Sequence, residues 1–406
     1  MVLKGNAVFA QSGGPTAVIN SSICGAIQEA AKHPQITGMY GSINGILGVL
    51  NENMIDLNKE SKRTIELLKQ TPSSLLGSSR QKLKEEDYSK ILKVLEAHNI
   101  RYFFIAGGND SMDTANKMYE ISKKLNYEML VMGLPKTVDN DLPVTDHCPG
   151  YGSVSRWLAQ SVRDAGLDTE AIYTSDTIKI IETMGRNAGW ITASTVLAKQ
   201  KENDAPHIIL LPEVPFNQDK FLAAVDKVYK KLGYVVVTCC EGLKDEKGEY
   251  LTSSKRSIDT DKFGHKQLGG VGESLVSMIA EGLKLKARCD KPGTIQRVSG
   301  MMQSKLDVEE AYQSGAKAVE HAVNGKSGLM VTLIRESNKP YKCVTGVTEL
   351  SNIANKERKI PAEFIAADGM GVTEKFIDYV LPLIGGPLQE YARLDKNFIP
   401  KKLKQF

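Results

Sequence analysis

The stretch RYFFIAGGNDSMDTANKMYEISKKLNYEMLVMGLPKTVDND, residues 101–141, decides the fold. Arg101–Ala106 is a short aromatic and β-branched run, Met112–Leu125 has a helical pattern, and Met129–Leu134 is apolar again. Strand, helix and strand in that order read as a βαβ unit of a parallel sheet, its strands buried on both faces. The alternation recurs in Asn6–Ala10 then Ala17–Ala31, Ile178–Glu182 then Ala188–Ala198, and His207–Leu211 then Lys220–Leu232. Eight or more strands are expected in all, Val235–Cys239 and Leu329–Leu333 among them. One doubly wound domain of average size does not hold so many, so a second sheet is expected.

Composition narrows the function classes. A chain of 406 residues is long enough for two or three domains, and 41% hydrophobic with 25% charged residues supplies an ordinary core, which excludes global disorder. The formal net charge of +4 is spread along the chain. That argues against a nucleic-acid arm and leaves small anionic ligands open. No apolar run approaches the roughly 18 residues of a membrane helix, and Ala7–Ala10 is too short for a signal-peptide core. A cytoplasmic protein without membrane or nucleic-acid partners is expected. The six cysteines are scattered and the one close pair, Cys239-Cys240, is adjacent in sequence, where disulfide geometry is strained. Reduced thiols follow, and neither cysteines nor histidines have zinc-site spacing.

Two strand-to-helix turns are glycine-rich: Gln11-Ser12-Gly13-Gly14-Pro15-Thr16 and Gly107-Gly108-Asn109-Asp110-Ser111. Each places free backbone N–H groups at a helix start, where an anion is favoured. Glycine also serves tight turns and close packing, so one such turn alone decides little. Neither is a P-loop, and Gly325-Lys326-Ser327 fails that pattern because Glu320 stands where the first glycine belongs.

The densest chemistry lies in Pro135-Lys136-Thr137-Val138-Asp139-Asn140-Asp141, at the carboxyl end of an apolar strand, where ligands of open α/β sheets bind. A carboxylate there can take a proton from a hydroxyl, and an ammonium can meet charge on a transferred phosphoryl group. Spacing alone does not separate this from a turn whose Asp and Asn side chains bond their own backbone.

Taken in order, the motifs resemble the phosphofructokinases, and within them the pyrophosphate-dependent branch. They are Gly13-Gly14, Gly77-Ser78-Ser79-Arg80, the Gly107 turn, Pro135–Asp141, Met184-Gly185-Arg186-Asn187-Ala188-Gly189, Glu241, and Arg288 followed by Gly293–Arg297. The resemblance spans about Asn6–Gly300 and is loose beyond about Arg335. It implies two Rossmann-like three-layer α/β lobes with mainly parallel sheets and an active site in the cleft between them. Residues 1–165, completed by segments returning after about 300, would hold pyrophosphate and Mg2+. Residues 166–300 would hold the sugar phosphate, and 335–406 would form a C-terminal extension.

The same resemblance assigns roles. Asp139 would be the base that deprotonates the 1-hydroxyl of fructose 6-phosphate, with Thr137 at the transferred phosphoryl group or the hydroxyl beside it and Asp141 steadying the loop and metal waters. Met184, Gly185 and Arg186 would cradle the sugar phosphate, Glu241 would accept sugar hydroxyls, and Arg288 and Arg297 would bind the 6-phosphate, one of them from a neighbouring subunit of a homodimer or homotetramer. Guanidinium suits that task because its planar fork binds phosphate oxygens in pairs. Gly14, Arg80, Gly108 and the rest of the Gly107 turn would hold the donor.

The donor is read from Asp110 and Lys136, where ATP-using relatives typically carry glycine. A carboxylate at 110 would sit where the α-phosphate of ATP must pass. At an effective dielectric of 20, two unit charges about 4 Å apart repel by roughly 4 kcal/mol. Pyrophosphate has nothing to place there, and Lys136 would stabilise the departing phosphate. Asp110 also suits a helix N-cap, and both roles can hold together.

Three departures from the family pattern stand out. Asn109 replaces a magnesium-binding aspartate, though its amide oxygen can still coordinate the ion. Thr294 replaces a histidine, and Thr177 replaces an arginine for which Lys179, on the same strand face, would compensate. The polar stretch Gly242–Gly270 reads as a lid or a solvated insertion, and Lys396–Phe406 as a solvated end. An ATP-dependent phosphofructokinase and a non-catalytic subunit of the same fold are the competing readings.

Overall fold

A computed structural model describes residues 3–79, 83–251 and 270–403. Among them, eleven strands form two sheets. The larger contains β1 (Gly5–Gln11), β2 (Ile36–Ser42), β3 (Met54–Asp56), β4 (Ile100–Gly107), β5 (Leu130–Pro135), β10 (Leu329–Asn338) and β11 (Tyr341–Glu349). The smaller contains β6 (Ile178–Thr183), β7 (Ile208–Leu210), β8 (Val235–Cys240) and β9 (Ala287–Asp290).

The larger sheet runs β11-β10-β5-β4-β1-β2-β3, with β5, β4, β1 and β2 parallel and antiparallel partners at both edges. Its alternating side chains feed two cores. Ala7, Phe9, Tyr102 and Phe104 pack on one face; Val8, Ala10, Phe103 and Ile105 pack on the other. Full burial of each large apolar side chain contributes about 1.5–3 kcal/mol, which explains why these strands read as unbroken apolar runs.

From β1 the chain moves to β2 on one side, and β4 returns on the other. Order therefore reverses between β1 and β4, and a crevice opens beyond their carboxyl ends. Both glycine-rich turns sit there. The smaller sheet, β7-β8-β6-β9, is parallel throughout. The carboxyl ends of β6, β8 and β9 lead into Met184, Glu241 and Lys291, all on the same cleft.

The strands named from sequence are present, with bounds moved by at most one residue except that β10 extends to Asn338. The segment expected to be helical over Ala188–Ala198 is a five-residue helix, Trp190–Ser194, followed by a 3-10 turn, Thr195–Ala198. A third apolar cluster joins Tyr151 and Trp190 to Phe376, Tyr379 and Val380, so the C-terminal region packs against both sheets' helices. Beyond it, Arg163 donates to the carbonyl of Gln389 and Arg393 pairs with Glu170 and Asp204, tying the chain to the helix Tyr151–Ala171. Lys396 also reaches Glu170, and Phe398 and Ile399 are exposed. Of the expected lid, residues 252–269 lie outside the described residues, as does Arg80.

Candidate active site

The cleft between the sheets has a volume of about 670 Å³. Its floor is the segment after β5. Lys136 extends the sheet, its N–H bonding the carbonyl of Gly107 at 3.2 Å, and the buried ammonium donates to the carbonyl of Gly14 at 2.9 Å. Gly13 has φ +77, and a Cβ there would stand 3.0 Å from that nitrogen, so glycine is required for the lysine to lie across the turn. Ser78 closes the turn from the other side, its hydroxyl donating to the carbonyl of Gly13 at 2.6 Å.

Asp139 follows a turn in which its N–H donates to Thr137 Oγ1 at 3.1 Å. Asn140, at φ +54, is buried; its amide donates to the Tyr379 hydroxyl at 2.9 Å and accepts from the Cys148 N–H at 3.0 Å. The loop is thereby fixed, and both the turn chemistry and the placement of a carboxylate in the cleft are realised together. Burial and the Glu241 charge push Asp139 up to about 6, opposed by Lys136, Arg297 and Arg186. Burial, Asp139 and Glu357 push Asp141 up to about 7. A carboxyl so poised can exchange a proton near neutral pH.

On the facing side, Gly242 packs directly on the backbone of Arg186, where a Cβ would overlap its carbonyl oxygen, and this seats Glu241 beside Arg186. Burial raises Glu241, while Arg186 and Lys291 lower it. Arg186 Nε is buried without a hydrogen-bond partner, a donor left for something within the cleft. Lys291 Nζ lies 2.7 Å from Glu182, and Gln296 accepts from the Met184 N–H at 3.1 Å.

The turn at Gly13-Gly14 ends short of the first helix, which starts at Ile19, whereas the Gly107 turn caps the helix Asn109–Lys124 directly. Such a cleft, with Lys136 across one glycine turn, a helix start at the other and the carboxyls of Asp139, Asp141 and Glu241 raised in pKa, can hold a polyphosphate against a hydroxylated phosphate ester. The phosphofructokinase family matches residues 6–322. The chain belongs to this family. A pyrophosphate–fructose 6-phosphate 1-phosphotransferase of Halomonas elongata is 41% identical, the match covering 99% of each chain. One of Methylococcus capsulatus is 42% identical over 98% of each. The crystal structure of a pyrophosphate-dependent phosphofructokinase from Marinobacter aquaeolei superposes with a TM-score of 0.86, at 41% identity over 98% of each chain.

Of the positions that the phosphofructokinase resemblance singled out, Gly14, Gly108, Asn109 and Asp110 border the cleft on one side. Lys136, Thr137, Asp139 and Asp141 form its floor, and Met184, Arg186, Glu241 and Arg297 face them, with Gly185 between Met184 and Arg186 at φ +123. Arg288 is elsewhere: its half-exposed side chain pairs with Asp176 at 2.8 Å and does not border this chain's cleft. Lys179, the expected stand-in for the missing arginine, does not border this chain's cleft either, and Asp168 and Asp290 hold its ammonium at 3.3 and 3.2 Å. Asp110 is not the N-cap. The cap is Gly108, in extended conformation, and Asp110 lies within the first turn of the helix Asn109–Lys124. Its charge there complements the helix dipole, as Lys123 and Lys124 do at the other end.

Sequence reasoning passed over Glu182, Lys291 and Glu357, all on the cleft, and gave Asn187 a place in its motif but no role. Lys291 stands within the Arg288–Arg297 segment and its charge was the available signal. Glu357 had none, since it arrives from the loosely matching C-terminal region. No helix among the described residues is long and apolar enough to cross a membrane.

Proposed function

We propose that this phosphofructokinase transfers a phosphoryl group from pyrophosphate to the 1-hydroxyl of fructose 6-phosphate, giving fructose 1,6-bisphosphate and phosphate. The observation that carries this is the placement of Asp139, a carboxyl of raised pKa, in one cleft with Lys136 on the glycine turn and Arg186 opposite. The names of the full-length relatives give the same reaction.

In the forward direction the Asp139 carboxylate removes the proton of the 1-hydroxyl as its oxygen bonds to phosphorus. The bridging P–O bond of pyrophosphate breaks, and the departing phosphate carries away its electron pair beside Lys136. Arg186, Arg297 and Glu241 orient the sugar phosphate. Little covalent work falls to the protein; positioning and charge stabilisation supply most of the rate. The leaving group is inorganic phosphate rather than a nucleotide, and the reaction runs measurably both ways.

Magnesium fits this cleft as part of the pyrophosphate complex. The ion needs only one or two protein ligands besides phosphate oxygens and water, and Asp110 with the amide oxygen of Asn109 would offer them, leaving Asp139 free to take the proton. No group of three or more His, Cys, Asp or Glu side chains suited to a metal occurs among the described residues. Asn109 Oδ1 accepts the Asp110 N–H at 2.9 Å, and its second lone pair would be open to the ion. Bound there, the ion would neutralise charge on the transferring phosphoryl group. Arg288, directed away from its own cleft, would serve a second copy in a homodimer or homotetramer, and six free thiols suit the cytoplasm.

The test is Asp139→Asn assayed in both directions. Turnover should fall about 10²-fold or more with sugar affinity little changed. Near wild-type turnover would reject Asp139 as base.

A further inference from the structure

The catalytic loop is held from outside by a four-residue strap that the mechanism does not use. Arg358 Nη1 donates to the carbonyls of Thr145 and Asp146, both at 2.7 Å, and Nη2 to that of Asn140 at 2.8 Å. Its own N–H donates to the carbonyl of Asp141 at 2.6 Å. The guanidinium lies 4.7 Å over the ring of Trp190, whose indole N–H donates back to the Arg358 carbonyl at 3.1 Å.

The rest of the strap grips the other walls of the cleft. Asn355 Nδ2 donates to Asp113 at 3.0 Å and the carbonyl of Lys356 accepts from Asn109 at 3.4 Å, both on the helix that carries Asp110. Glu357 accepts from Asn187, in the turn after β6, with both carboxylate oxygens 3.1 Å away. Four consecutive residues thus join the donor turn, the Asp139 loop and the sugar-phosphate turn.

The loop needs such a hold. Asn140 and Val144 are both in the left-handed region, at φ +54 and +64, where non-glycine residues are strained. Asp139 and Asp141 repel each other and face Glu241 and Glu357 respectively. A rigid planar fork that binds three backbone carbonyls at once opposes that spreading in a way a single ammonium does not. Its Nε is left buried without a partner, so the geometry serves the carbonyls.

We infer that the strap Asn355–Arg358 is a positioning element for the Asp139 loop, anchored by Arg358. The inference rests on the reading of Asp139 as base. Displacement of a reacting group by about 1 Å can lower turnover about 10²-fold while leaving binding intact.

The test is Arg358→Lys in the full chain, with kcat, both KM values, the pH dependence of kcat/KM and the melting temperature. The charge remains, yet one ammonium cannot reach three carbonyls. We expect kcat to fall about tenfold or more, KM for fructose 6-phosphate to stay within about threefold, and the acidic limb of the pH profile to move. A lower melting temperature with kcat within about twofold and an unmoved limb would overturn the inference. Should Arg358→Lys fail to fold, Asn355→Ala loosens the strap at its other end. It is expected to lower kcat about threefold, and unchanged kcat there would overturn it equally. Assaying Asp139→Asn alongside separates the two readings: its full activity would reject the base, whereas its inactivity beside an unaffected Arg358→Lys would reject the strap alone.

Discussion

The ammonium of Lys136 lies 2.9 Å from the carbonyl of Gly14, so the segment after β5 is tied to the turn after β1 across the intervening strand β4. The two halves of the donor site are therefore one unit. Gly13→Ala introduces a Cβ 3.0 Å from that ammonium at φ +77. The left-handed conformation alone costs about 1–2 kcal/mol for a residue with a Cβ. We expect kcat/KM for pyrophosphate to fall about tenfold or more while KM for fructose 6-phosphate barely changes. Steady-state kinetics with each substrate varied would show it, and equal losses for both substrates would contradict the assignment.

Asp110 sets the donor by charge. Replacing it with glycine removes a repulsion of roughly 4 kcal/mol at about 4 Å from a third phosphate. Asp110→Gly should raise the ratio of ATP-dependent to pyrophosphate-dependent rate at least about tenfold. It should also cost about 0.3–1 kcal/mol of stability, because a carboxylate leaves the first turn of the helix Asn109–Lys124. An unchanged ratio would move donor discrimination elsewhere in the cleft.

The pH profile follows from the direction of the Asp139 shift. Asp139 must be ionised to accept a proton, and burial with Glu241 raises it to about 6. Log kcat/KM should be flat above that value and fall as pH drops through it. Glu241→Gln removes a negative neighbour and should carry the limb to lower pH, whatever it does to the plateau; Lys136→Met removes a positive one and should carry it higher. Limbs that do not move in opposite directions would argue for another titrating group.

Stability should have its own pH dependence, centred on His147. Burial alone would lower this imidazole, but Glu310 and Asp146, at 2.7 and 2.8 Å, raise it to about 9. Arg335 bonds the same Asp146, and the Tyr341 hydroxyl donates to Glu310 at 2.6 Å. A group whose folded pKa lies above its unfolded value near 6.5 stabilises fully below that value and loses the contribution as pH rises through about 9. The loss is on the order of 3 kcal/mol at most. Melting temperature should decline from pH 7 to 9.5, and His147→Gln should be less stable at pH 7 with a flatter decline. A parallel slope in that variant would assign the effect to other groups.

Much of this was legible in the sequence, for a physical reason. Strands buried on both faces, such as Val8–Ala10 and Phe103–Ile105, must be continuously apolar, and glycine turns at their ends must be local in sequence. Asp139 was legible because its segment follows such a strand directly. Side-chain direction was not. Arg288 and Arg297 look equivalent as a pair of cations, yet one pairs with Asp176 outside the cleft and the other borders it. Lys179 had the right face and charge, but Asp168 and Asp290 reach it through tertiary packing that no local pattern records. Glu357 reaches the cleft, and Arg358 the back of the Asp139 loop, only because β10 and β11 extend the larger sheet and return the chain across it.

The most direct measurement of the central claim is a paired donor assay on the purified chain. Fructose 1,6-bisphosphate formation would be followed with pyrophosphate and with ATP at matched free magnesium and saturating fructose 6-phosphate. Rapid turnover is expected with pyrophosphate, reversed by adding phosphate and fructose 1,6-bisphosphate, and an ATP rate lower by about 10²-fold or more, from several kcal/mol of repulsion at Asp110. An ATP rate equal to or above the pyrophosphate rate would contradict that claim.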